Sequence, residues 1–150
     1  VRLDSVDLTL LRCVQESGRM TLVELARQVG MSSPSTAERL RRLEESGVIS
    51  RYAAIVEPEK LGYTLQAFVR LAPSDPRTAA DTMHVIFDRP EIREAHHVVG
   101  DDCWVFKVAV RGTRHLEQLL LDMASIGTTT TSIVLSSPVH DRPLIPSTEV

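Results

Sequence analysis

The sequence predicts an α+β protein in two parts, an N-terminal winged helix-turn-helix followed by a C-terminal ferredoxin-like βαββαβ domain. Three observations predict it. Segments with helical apolar spacing fill residues 4–46, a short polar connector follows, and strand-like alternation interleaved with two helical stripes occupies the remainder. The expected boundaries are 1–56 for the first domain, 57–62 for the connector and 63–150 for the second. At 150 residues, 43% hydrophobic and 25% charged, the chain has the balance of a soluble globular protein with room for two small domains.

In the first helix, Val6, Leu10, Leu11 and Val14 recur at three- and four-residue intervals after Asp4-Ser5, and the run stops at Ser17-Gly18. The second opens on Thr21 and Glu24, the capping-box spacing in which each side chain satisfies a backbone N–H left free at the helix start. Leu22, Leu25, Ala26 and Val29 form its buried stripe, and Gly30 breaks it. The third opens at Ser32-Ser33-Pro34, with Ser33 as the expected cap and Pro34 at the first helical position, where a missing N–H costs nothing. Thr36, Leu40 and Leu43 point inward; Ser35, Glu38, Arg39 and Arg42 make the opposite face. Gly47, with Val48 behind it, fits a left-handed C-terminal cap with its hydrophobic contact. The β-rich run 49–56 reads as a wing. Two short helices joined by a tight turn, the second polar and basic outward, is the geometry that fits the DNA major groove.

Charge supports that placement. The net charge of −3 argues against coating nucleic acid through bulk positive charge. Residues 27–51, however, hold five arginines against three glutamates, whereas residues 58–150 hold nine basic against twelve acidic side chains. Phosphate contacts are therefore expected from the first domain.

Beyond the connector, Leu65, Ala67, Val69 and Leu71 alternate as a strand. Ser74-Asp75-Pro76 starts a helix with Ala79, Met83, Ile86 and Phe87 on one face, ending at Arg89-Pro90. Residues 92–99 and 103–110 read as strands joined across Gly100-Asp101-Asp102. Thr113 is the expected cap of a second helix with Leu116, Leu119, Leu120 and Met123 inward, and residues 132–136 form the last strand. The order βαββαβ places both helices on one face of an antiparallel sheet. Val105 and Ala109, beside Cys103 and Lys107, leave the other face apolar enough to need a cover, for which a second copy is the simplest choice.

The two cysteines, Cys13 and Cys103, have no ligand-like or redox spacing, and no apolar run approaches the length of a membrane span. A soluble protein of the reducing cytoplasm is expected, with no signal peptide. The five histidines lack metal-ligand spacing, and no nucleophile, phosphate-loop or zinc-protease signature occurs. No catalytic site, metal or cofactor is expected.

Three stretches, LDSVDLTLL, RMTLVELARQVGMS and RLRRLEESGVISRYAAIVEPEKLGY, resemble the Lrp/AsnC family, the feast-famine regulators of bacteria and archaea; the similarity continues more weakly through the second half. The resemblance implies a sequence-specific DNA-binding transcriptional regulator whose assembly or DNA affinity responds to an amino acid or related metabolite. It implies DNA-facing Ser33, Ser35, Glu38, Arg39 and Arg42. It also implies an effector loop at Gly100, Asp101, Asp102, Cys103 and Trp104, with Thr131 and Ser132 as weaker candidates to line the same pocket. A glycine turn there can present N–H groups to an amino-acid carboxylate, and a nearby aspartate can meet its ammonium. Cys103 stands where the family commonly has aspartate, which leaves Asp101, Asp102 or no residue at all for that role. Expected partners are double-stranded DNA, the small-molecule effector and a second copy, with closure of dimers into an octamer left open. Two alternatives stand beside this reading. One is an enzyme like the siroheme decarboxylases, for which His96, His97, Arg93 and Arg111 are the applicants. The other is an autoregulator without an effector.

Overall fold

The structure, a computed structural model, describes residues 2–75, 83–100 and 103–144. It divides into two compact units, one running through Ile55 together with residues 139–144, the other Val56–Pro138. The expected second domain included 139–144. These residues group instead with the first unit, where the Gln15 side-chain amide donates to Leu144 O at 3.1 Å and its Oε1 accepts Leu144 N–H at 2.9 Å.

The first unit is three helices, α1 (Ser5–Glu16), α2 (Leu22–Val29) and α3 (Ser33–Glu45). Leu10, Leu11, Cys13, Leu25 and Leu43 form its core, with Val6, Val14, Val29, Leu40 and Ile49 packed around them. Thr21 and Glu24 cap α2 reciprocally, as their spacing predicted, and Asp4 and Asp7 do the same for α1, a box the sequence reading did not name. Two details of α3 differ from expectation. Ser32, not Ser33, is the cap: it keeps extended backbone and its hydroxyl accepts Ser35 N–H at 3.3 Å, which makes Ser33 the first helical residue. At the other end Gly47 adopts a left-handed φ of 74°. There it is Ile49 that turns back on the core, its N–H donating to Leu43 O at 3.1 Å, while Val48 stays 38% exposed. The run after it forms no strand between 50 and 57. Among the described residues of this unit there is no other strand to complete a ladder, and an extended segment without one does not hold sheet geometry.

In the second unit a 3-10 turn, Pro58–Leu61, leads into β1 (Leu65–Pro73), followed by a helical stretch at 83–87, β2 (Ile92–His97), β3 (Trp104–Val110), α4 (Thr113–Ala124) and β4 (Gly127–Ile133). The expected helix beginning at Pro76, with Ala79, lies outside the described residues up to Met83. The antiparallel sheet has the order β2-β3-β1-β4, as the βαββαβ pattern requires. Ala67, Val69 and Leu71 from β1 and Phe106, Val108 and Val110 from β3 meet Met83, Ile86, Leu116, Leu119 and Met123 in one core. Each such side chain contributes about 1.5–3 kcal/mol through burial. Thr113 is the first residue of α4 rather than its cap; Gly112 occupies that position without a side-chain bond.

The last strand begins five residues earlier than predicted, at Gly127. Threonines 128–131 suit a strand through their β-branching but lack apolar alternation. Gly127 is required where it stands, since a Cβ there would lie 2.1 Å from Ala72 O. No helix among the described residues is long and apolar enough to cross a membrane.

Candidate nucleic-acid interface and effector loop

Helix α1 grips α3 through a buried carboxylate. Asp7 is 1% exposed, and its carboxylate accepts Arg39 Nη1 at 2.8 Å and Arg42 Nη2 at 3.1 and 3.2 Å. Arg39 Nη1 also reaches Asp4 Oδ2 at 2.7 Å. The Asp7 backbone N–H, and after it Arg39, hold the Asp4 carboxyl below its ordinary range, while Asp4 and then Asp7 raise Arg39. Both guanidinium groups therefore belong to a charge cluster at the N-terminus of α1, where carboxylates are also favoured by the helix dipole.

This places the predicted DNA-facing residues unequally. Ser35 and Glu38 are exposed, as is Arg42 apart from its bond to Asp7. Ser33 is half-buried in the first turn, and Arg39, 24% exposed, is turned to α1 rather than outward. The sequence reading missed Arg41. Glu38, Arg41 and Glu45 lie at i, i+3 and i+7, on the face opposite Thr36, Leu40 and Leu43. Arg41 bonds Glu38 and Glu45, each at 2.5 Å. Glu38 is held below its ordinary pKa by Arg41, and Arg41 is raised by Glu38 and then Glu45. Beside α3, Tyr52 O–H donates to Glu44 at 2.9 Å; burial and then Glu44 push its pKa up to about 12.

In the second unit, Val98 N–H donates to Cys103 O at 2.8 Å and closes the β2–β3 loop. Gly100 has φ 148°, and nothing lies within 4 Å of the place a Cβ would take. Asp101 and Asp102 lie outside the described residues. Cys103 is half-buried. Trp104 stacks on His97 with ring centroids 4.8 Å apart and meets Phe87 at 5.2 Å and Phe106 at 6.2 Å, an aromatic wall beside the loop. Thr131 and Ser132 are not brought together. Thr131 pairs with the buried Val69 on the helix side of the sheet, and Ser132 pairs with Phe68 on the other. That second face also carries the Glu94–Lys107 bond, 3.0 Å, with His96 on Glu94 at 3.2 Å, so His96 and His97 point to opposite faces. Ala109 is already buried in the single chain, and Phe68, 43% exposed, is the large apolar side chain displayed there.

A trihelical unit with a capped, arginine-bearing third helix, followed by a βαββαβ module with an open glycine loop, defines a DNA-binding regulator with a ligand-binding domain. Residues 3–50 match the winged helix-turn-helix DNA-binding family and residues 64–144 the Lrp/AsnC ligand-binding domain. The chain is 36% identical to the transcriptional regulator LrpA of Mycobacterium tuberculosis over 96% of its own length and 97% of that protein's. Two solved structures superpose closely. The feast or famine regulatory protein of M. tuberculosis complexed with L-methionine does so with a TM-score of 0.88, at 35% identity over 97% of this chain and 100% of that one. A Neisseria meningitidis transcriptional regulator in complex with L-Met gives 0.89, at 27% identity over 95% and 96%. The chain belongs to the Lrp/AsnC family of DNA-binding transcriptional regulators.

Proposed function

We propose that this regulator alters its assembly or its DNA affinity when an amino acid or related small metabolite binds at the β2–β3 loop, and that it acts in the cytoplasm without catalysing a reaction. The observation that carries this reading is the open space at Gly100, at the tip of a loop closed by the Val98–Cys103 bond. A backbone with no side chain at that point can turn its N–H groups to a carboxylate. The L-methionine complexes of two family members support the same ligand class. Gly100, Cys103 and Trp104 line the site, with Asp101 or Asp102 as partner for an ammonium.

A homodimer through the sheet face that carries Phe68 fits the same reading, because a second copy covers the apolar ring at the centre of that face. The ligand shifts the assembly only if it prefers one state, and so couples the loop to the paired α3 helices. Ser33, Ser35, Glu38, Arg39 and Arg42 are proposed to form or support the DNA-facing surface.

The test is thermal melting of the full chain against each of the twenty amino acids. A ligand at a hundredfold excess over its Kd stabilises the folded state by about 2.7 kcal/mol, well within detection. One chemical class should raise the melting temperature, and Gly100→Val should abolish that rise. No shift with any amino acid would contradict an amino-acid effector.

A further inference from the structure

Helix α3 carries three arginines within four residues, in three different settings. Arg39 lies between Asp4 and the buried Asp7, and Arg42 shares Asp7 from a more exposed position. Arg41 stands on the outward face with its guanidinium between Glu38 and Glu45, all three side chains more than half exposed. Resting on the reading of this chain as a DNA-binding regulator, we infer that Arg41 is an arginine through which α3 contacts DNA. Glu38 and Glu45 hold its guanidinium until a duplex displaces them, and Arg39 is a positioning residue that fixes α3 against α1.

Three physical points lead there. First, exposed ion pairs three and four residues apart on a helix contribute little, so releasing Arg41 costs little. A guanine edge, through O6 and N7, or a phosphate, through two oxygens, offers the paired acceptors for a guanidinium that the carboxylate gives up. Second, Arg39 cannot leave on the same terms. Its departure takes a hydrogen-bonded cation from a carboxylate that is 1% exposed, and such a carboxylate cannot replace the loss with water. Third, the displaced glutamates shape selectivity. Two carboxylates on the groove-facing surface repel phosphates, which weakens binding to arbitrary sequence. Glu38 can still accept from a cytosine amino group where the sequence supplies one. The face is then biased toward readout and away from simple charge attraction, in keeping with the net charge of −3.

The experiment uses the full chain, a duplex that the wild-type protein selects from a random-sequence pool, and a scrambled duplex of equal length. Affinity for both is measured across a salt series, with melting recorded in parallel. Arg41→Ala should lose about tenfold or more in affinity for the selected duplex, and its salt dependence should shallow by about one counterion, with the melting temperature unchanged. Arg41→Lys should keep the salt dependence and lose preference for the selected sequence. Glu38→Gln should tighten binding to the scrambled duplex. Arg39→Gln, a milder change than alanine, should lower the melting temperature while keeping the wild-type salt slope below it. Wild-type affinity and slope in Arg41→Ala would overturn the assignment, as would a slope reduced by one in Arg39→Gln with unchanged melting. A wild-type chain that selects no duplex would instead overturn the regulator reading on which the assignment rests.

Discussion

The Asp7 carboxylate, buried in the first turn of α1, accepts Arg39 Nη1 from the middle of α3 at 2.8 Å. Asp7 thus does two things at once: its Oδ2 accepts Asp4 N–H to complete the α1 cap, and it anchors α3. Local helix capping and the orientation of α3 therefore depend on one carboxyl group.

Asp7→Asn should accordingly destabilise the chain by about 1–3 kcal/mol, the cost of weakening charge-assisted bonds at a buried site. Urea unfolding followed by the helical circular-dichroism signal measures this. Arg41→Ala, on the outward face of α3 and outside that cluster, should leave the midpoint where it is.

Acid should unfold the second unit in part through Glu91. Burial works against its ionisation, but its own backbone N–H, His115 and Arg89 outweigh that and hold its pKa below the ordinary 4.5. The contacts are 2.6 Å to His115 Nε2 and 3.3 Å to Arg89 Nε. A depressed folded pKa contributes stability that is complete above 4.5 and lost as pH falls through the lower folded value. Glu91→Gln should flatten stability against pH on that acid limb.

Gly127→Ala should cost about 1–3 kcal/mol or abolish folding of the sheet edge, because the new methyl group meets backbone at Ala72 and Pro73 and not a movable side chain. Urea midpoints of this variant and of Gly18→Ala, whose Cβ would meet only Val14 O at 3.9 Å, provide the comparison.

Trp104 is the only tryptophan in the chain and borders the loop. An amino acid that binds there should change its emission, and the change should saturate at the same concentration as the rise in melting temperature. An unchanged spectrum at saturation would place the ligand elsewhere.

The capping box of α2, the helical stripes and the βαββαβ order were legible because each rests on local spacing that tertiary contacts reinforce. Most of the failures share a cause as well. Arg39 reads as outward by polarity alone, and only the approach of Asp4 and Asp7 from α1 turns it aside. Arg41 was within reach of the sequence, because Thr36, Leu40 and Leu43 already fix the inward face and place Arg41 opposite it; the resemblance pointed to other residues. Threonines 128–131 hid the start of β4, since a strand partnered by β1 needs no apolar alternation of its own. The segment after Ile49 had strand-forming residues but no partner, and propensity without a ladder is insufficient. At the β2–β3 loop, Gly100 and Trp104 were visible as residue types, whereas the packing of Trp104 against His97 and Phe87 joins segments distant in sequence.

The most direct test of an amino-acid-responsive DNA-binding regulator is the affinity of the full chain for its selected duplex, measured by fluorescence anisotropy with and without a saturating amount of the amino acid that raises its melting temperature. The account predicts that this amino acid changes the affinity or the stoichiometry of the complex, and that Gly100→Val removes the change while binding DNA as before. Identical affinity and stoichiometry with and without the amino acid would contradict it.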